Sequence, residues 1–272
     1  MSSLCNMRAM PIRIVTGDQG WRQLRASFKK NWIHYLQEAL GLGIFMASAC
    51  FFSAMLFSPK SSWYSVILGM DIRNILMGVA MAITAIFIFY SPLTAPSGSH
   101  INPVVSLSFL RIGKMCRYDV MFYIIFQLLG GTVSVFIMQL LLGTTLTALP
   151  VNSAVTVPGK YGYTAAALTE LLISFFTMSM VLFTSHDKNL KKYTRLFAGC
   201  LVCTWVIIAG PISGFGMNPA RSFASALPAH TWTAFWIYVF IPLIGMLSAT
   251  EVFLLIQKKQ LVQAEFFSIL KN

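Results

Sequence analysis

Six stretches of this sequence are apolar for long enough to cross a bilayer, and one ten-residue pattern recurs on either side of three of them. The stretches lie at about 32–57, 72–93, 119–142, 164–184, 195–211 and 232–256. A hydrocarbon core of about 30 Å takes roughly 20 helical residues to cross. Lipid offers backbone N–H and C=O groups no water, so spans of this kind must be helices packed as a bundle. The recurring pattern reads SGSHINPVVS at 97–106 and SGFGMNPARS at 213–222, 116 positions apart and identical at five of ten places. An odd number of spans separates the copies, which inverts the second relative to the first. Each half also carries an intramembrane glutamate on its first span, Glu38 and Glu170. Inverted repeats with broken helices place a site near the bilayer midplane.

The segments that follow each pattern, 102–110 and 218–227, are apolar but too short to span. At ~1.5 Å per residue each covers about 15 Å, half the hydrocarbon thickness. Asn102 and Asn218 stand where an N-cap is favoured, and Pro103 and Pro219 follow at the first helical position, where a missing N–H costs little. These are half-helices. Entering from opposite faces, they would bring two positive dipole ends and two Asn amides together at mid-membrane. Such a place accepts a neutral oxygen-bearing solute and repels a cation or hydronium, the behaviour for which aquaporin-type pores are a standard example.

Only 10% of the 272 residues are charged against 57% hydrophobic, where soluble domains carry about 25% charged residues. The net charge of +12 raises a nucleic-acid reading, which the distribution of the cations argues against. Sixteen of the twenty lysines and arginines precede the first span or fall in alternate loops and the C-terminal tail; Lys60, Arg73, Lys160 and Arg221 do not. That bias predicts cytoplasmic termini. Residues 1–31 read as a basic cytoplasmic tail lying on the anionic leaflet, 32–257 as the membrane domain with repeats at about 32–142 and 164–257, and 258–272 as a second cytoplasmic tail. The first 30 residues lack the 7–15-residue apolar core of a cleaved signal. Cys200 and Cys203 form a CxxC inside an apolar helix and are read as packing. Gly130, Gly131, Gly210 and Gly245 are expected to let helices approach closely.

With these residues in view, the chain resembles the major intrinsic proteins, the aquaporin and glycerol-facilitator superfamily, over residues about 32–257. The matching residues are Asn102-Pro103-Val104 and Asn218-Pro219-Ala220-Arg221, with Glu38, Gln127 and Glu170 on the spans. Val104 departs from the family's usual Ala. The resemblance implies an all-α channel of six membrane helices and two re-entrant half-helices, with four protomers usually forming a tetramer. It implies that Arg221 lines an outer constriction and repels cations. It also implies that Glu38 and Glu170 accept hydrogen bonds from the non-helical loops, with Gln127 in a related part. A proton relay is the competing role for the glutamates. His100 stands where the family often has His and is read as packing the loop, with pH gating as the alternative.

The resemblance implies three further filter positions, found by counting from the motifs: Phe215, Val206 and, on span two, Ala82, whose register the loop at Ser91–Pro96 leaves open. Val206 with a small residue at 82 would widen the filter beyond that of a strict water channel. Ser222 and Ala226 stand where glycerol facilitators usually have Asp and Lys, which points back toward water. On span six, Tyr238 fits the water-channel pattern and Val239 does not. The expected function is passive conduction of water, with small neutral solutes such as glycerol as an open second class. A coupled transporter would show a row of ionisable residues along its path, and a pore-less scaffold would show blocking bulk; neither appears. No catalytic set, metal cluster or cofactor motif is present, and nucleic acid is not an expected partner.

Overall fold

The computed structural model describes residues 17–67 and 69–269. The expected tail at 1–16 and the last residues of the C-terminal one lie outside that range. Ten α-helices order the described chain: α1 Gly17–Phe57, α2 Ser62–Val66, α3 Met70–Tyr90, α4 Pro103–Arg111, α5 Arg117–Leu142, α6 Thr144–Thr147, α7 Gly162–His186, α8 Thr194–Ser213, α9 Pro219–Ala229 and α10 Phe235–Ile269. There are no strands among the described residues. Six of the helices (α1, α3, α5, α7, α8 and α10) contain segments long and apolar enough to cross a membrane, with mean hydropathies of 1.8 to 2.2. Their outward faces carry large apolar side chains such as Ile83, Leu140 and Phe240, a surface of the kind a bilayer covers. The half-helices α4 and α9 are 9 and 11 residues long, too short to span.

The two halves repeat one another's contacts. Helix α1 packs along α5 and α7 along α10, while α3 meets α8 across the join, and each half-helix lies against the third long helix of the other half, α9 on α5 and α4 on α10. Glycines set two of these crossings. A Cβ on Gly130 would lie 2.1 Å from the Ala39 carbonyl oxygen, and one on Gly245 would lie 2.7 Å from that of Leu171. Ala39 and Leu171 are the residues immediately after the two buried glutamates. Close backbone approach at these points therefore also sets how deep each carboxylate sits. Gly210 is different: a Cβ there would meet nothing within 4 Å, so the close packing expected of it is not its role.

Helix α1 begins well before the expected span start at 32. Hydropathy sees only where a helix turns apolar. What continues this one is a polar seam to α5, in which Ser27, Asn31 and Tyr35, one helical turn apart, all donate to Asp119 Oδ1, with Asn31 at 3.0 Å and Tyr35 at 2.6 Å. Residues 17–31 are thus a helical extension of the first span. Helix α3 ends at Tyr90, short of the expected 93, because Pro92 has no N–H to continue the ladder.

Gly130→Leu should prevent the α1–α5 contact, costing about 3 kcal/mol or more as an overpacked backbone crossing. Thermal melting of the detergent-solubilised protein should show a large drop for Gly130→Leu and little change for Gly210→Ala, and equal melting of the two would refute the close-packing role of Gly130.

Candidate functional site

The two ten-residue patterns form two loops with the same unusual backbone. Ser99 and Ile101 in the first, and Phe215 and Met217 in the second, have positive φ of 49°, 43°, 53° and 49°. Each such conformation strains a residue with a Cβ and persists only where its surroundings over-determine it. Those surroundings are the glutamates. Glu38, with no exposed surface, accepts from the Ser97 hydroxyl at 2.6 Å, His100 N at 2.9 Å and Ile101 N at 2.6 Å. Glu170, equally buried, accepts from the Ser213 hydroxyl at 2.6 Å, Gly216 N at 2.8 Å and Met217 N at 2.5 Å. Tyrosine hydroxyls complete both loops: Tyr123 donates to the Ser97 carbonyl and Tyr238 to that of Ser213, each at 2.7 Å. These serines and tyrosines were not singled out as loop supports from sequence, although Ser97 and Ser213 are the first identity of the repeat.

The pairing is broken at one place. Gln127 donates to Glu38 Oε2 at 2.8 Å, while Pro242 stands four residues after Tyr238 as Gln127 stands four after Tyr123. Gln127 Oε1 is buried without a hydrogen-bond partner among the described residues.

Held in this way, the loops deliver their asparagines to each other. Asn102 caps α4 through Val104 N at 2.9 Å, and Asn218 caps α9 through Ala220 N at 3.0 Å and Arg221 N at 3.2 Å. Each side-chain amide then crosses to the opposite loop: Asn102 Nδ2 donates to the Met217 carbonyl at 2.9 Å, and Asn218 Nδ2 to that of Ile101 at 2.6 Å. The N-termini of α4 and α9 consequently face each other, with Pro103 and Pro219 at their first positions. One N–H of each amide is used in the crossing, and the second takes no part in it. Val104 packs among Met178, Leu182 and Met246, and Ala220 joins the larger cluster around Leu42 and Met46.

Beside this junction lies a cavity of about 280 Å³ whose lining includes Phe45, Met77, Met81, Val206, Phe215 and Arg221. Three of the four filter residues named from sequence meet there. Ala82 does not. The face of α3 that lines the cavity runs through Asn74, Met77 and Met81, while the Ala82 carbonyl lies against Gly199 of α8. One residue rotates a helical position by about 100°, and the loop after α3 defeats counting back from Asn102.

Arg221 is buried and forms no ion pair among the described residues. Its Nη1 donates to the Thr156 hydroxyl, which Ser222 Oγ also approaches at 3.3 Å. Thr156 sits in the loop between α6 and α7 and carries no local sequence signal. His100 turns away from the junction, its Nδ1 3.0 Å from Ser106 Oγ and its ring stacked on Phe109. Cys200 and Cys203 are free thiols on α8, the first exposed and the second half-buried.

Six spanning helices, two half-helices meeting by their N-termini and an inverted repeat define an integral multi-pass membrane protein of the aquaporin fold. The family model for the major intrinsic proteins matches residues 25–253, and the chain belongs to that family. Among curated proteins it is 36% identical to a probable aquaporin of NIP type from Nicotiana alata, covering 59% of this chain and 58% of that one. It is 30% identical to aquaporin NIP1-2 of Arabidopsis thaliana over 65% of this chain and 61% of the relative. The chain thus spans less than two thirds of the length of these relatives. Among solved structures, the aquaglyceroporin from Plasmodium falciparum superposes with a TM-score of 0.69 at 20% identity, over 80% of this chain and 93% of that one.

Glu170→Gln would turn an NH₂ toward a loop N–H, stranding a buried donor at a cost of about 1–3 kcal/mol. Glu38→Gln should be milder, because the Gln127 amide can flip and present its unpartnered Oε1 to the new NH₂. Melting temperatures of the two variants check this, and an equal or larger loss for Glu38→Gln would count against the flip.

Proposed function

We propose that this protein is a passive channel for water and small uncharged solutes. The observation that carries the reading is the reciprocal amide crossing of Asn102 and Asn218 between facing half-helix N-termini. Two dipole ends, each worth about half a positive charge, share a low-dielectric space with two Asn N–H donors. A water or alcohol oxygen is bonded from both sides there, while a cation or hydronium meets only positive potential. Arg221 adds a full positive charge on the cavity side, where Val206, Phe215 and Met81 narrow the path. Glu38 and Glu170, each filled with loop donors, act as scaffold in this reading, which leaves no carboxylate to relay protons. The aquaporin and aquaglyceroporin names of the relatives agree with it.

The filter has one polar side, from Arg221, and an apolar wall of methionine, valine and phenylalanine. Met81 in place of the expected Ala82 makes it narrower than the sequence suggested. The same reading takes the protomer as one of four and puts both termini on the cytoplasmic side, where sixteen of the twenty cations fall.

Stopped-flow light scattering on proteoliposomes tests the proposal. Wild type should shrink faster than empty vesicles in an impermeant osmolyte, and Met81→Ala should raise glycerol entry severalfold relative to water. Arg221→Ala should let small cations leak where wild type does not. If verified, inserted wild type passes neither water nor glycerol above empty vesicles, the channel reading fails.

A further inference from the structure

The extension of α1 forms a second built feature, remote from the Asn junction. Leu24 and Phe28 are one turn apart, as are Arg25 and Lys29, so the helix presents an apolar stripe beside a cationic one. Together with Phe122 of α5 these four residues line a cavity of about 230 Å³. Its floor is aromatic. The Phe28 ring lies 5.2 Å from that of Phe122 and 6.5 Å from that of Phe126, and Phe122 stacks on Tyr35 at 4.9 Å. The Asp119 seam holds the two helices in this register, and the hydrogen bonds of Ser27, Asn31 and Tyr35 occupy its carboxylate. Arg25 and Lys29 are exposed and have no ion pair among the described residues.

We propose that this slot is a binding site for an anionic phospholipid of the adjacent leaflet, with acyl carbons against Leu24, Phe28 and Phe122 and the phosphate between Arg25 and Lys29. The depth suits a lipid. Trp32, half-exposed one turn further along the same helix, stands where interfacial tryptophans do, and a cation on a long stem beside it reaches the headgroup layer. The charge also suits an anion: the only charged residues in the lining are Arg25 and Lys29, which lend it their apolar stems and leave their charged ends outside it for a headgroup. A soluble phosphate would match the rim and leave the apolar floor unused, so the lipid is the occupant the whole slot fits.

The test is native mass spectrometry of the full-length protein in nonionic detergent, titrated with phosphatidylglycerol or phosphatidylcholine. Two double variants remove equal charge: Arg25→Gln with Lys29→Gln at the slot, and Arg22→Gln with Lys30→Gln on the same helix but outside its lining. Wild type should retain phosphatidylglycerol over phosphatidylcholine. The slot variant should lose that affinity roughly thirtyfold, the scale of two Lys/Arg contacts to an anionic surface, and the control less than about threefold. Glycerol 3-phosphate should not displace the lipid. Equal retention of both lipids, equal losses in the two variants, or displacement by glycerol 3-phosphate would each overturn the proposal. Leu24→Trp, which fills the slot and leaves the charge unchanged, should also lower retention; undiminished binding in that folded variant would overturn it too.

Discussion

Two carboxylates carry this architecture. Glu38 and Glu170 are both fully buried in a bundle surrounded by lipid, a position that is costly for an isolated charge. Each is tolerated because loop donors surround it: a serine hydroxyl and two consecutive backbone N–H groups, the same set in both halves. The dependence runs both ways. The loops hold left-handed residues at Ser99, Ile101, Phe215 and Met217, and irregular backbone at membrane depth survives only where protein satisfies it. Without the carboxylates, the orphan N–H groups would have no acceptor and the half-helices no fixed entry point. The glycine crossings at Gly130 and Gly245 bring a neighbouring helix against the residue that follows each glutamate.

The molecule is most informative where its two halves cease to match. In the repeat alignment Arg221 stands opposite Val105, so only one end of the junction carries a full positive charge. Thr156, which holds that arginine, comes from the long connection between α6 and α7. Gln127 reinforces one carboxylate and has no counterpart on the other. The inverted repeat thus supplies the frame, and the departures from it make the two sides of the junction chemically different.

Much of the frame was legible in the sequence because lipid simplifies the problem. A bilayer demands full internal bonding, so span count, half-helix length and the Asn-Pro caps follow from hydropathy and local chemistry. The glutamates stood out because charge is rare there. Ala82 failed for a geometric reason: the register of α3 relative to Asn102 depends on the loop between them, and Met81 lines the cavity instead. Tyr123 and Tyr238 carry no local signal of their loop role, because a tyrosine in a hydrophobic helix has the pattern of a packing residue and only the fold puts its hydroxyl on a loop carbonyl.

The sequence by itself determined the membrane environment, the inverted duplication, the two opposed half-helices and the presence of an acid on the first span of each half, because each rests on spacing or on the expense of a polar group in lipid. Only the tertiary structure decided which face of α3 meets the cavity, that Thr156 reaches Arg221, that the asparagine amides cross between loops, and that α1 continues along α5 to build the slot at Arg25 and Lys29. Those features depend on helix rotation and on contacts between residues far apart in the chain, which local patterns do not encode.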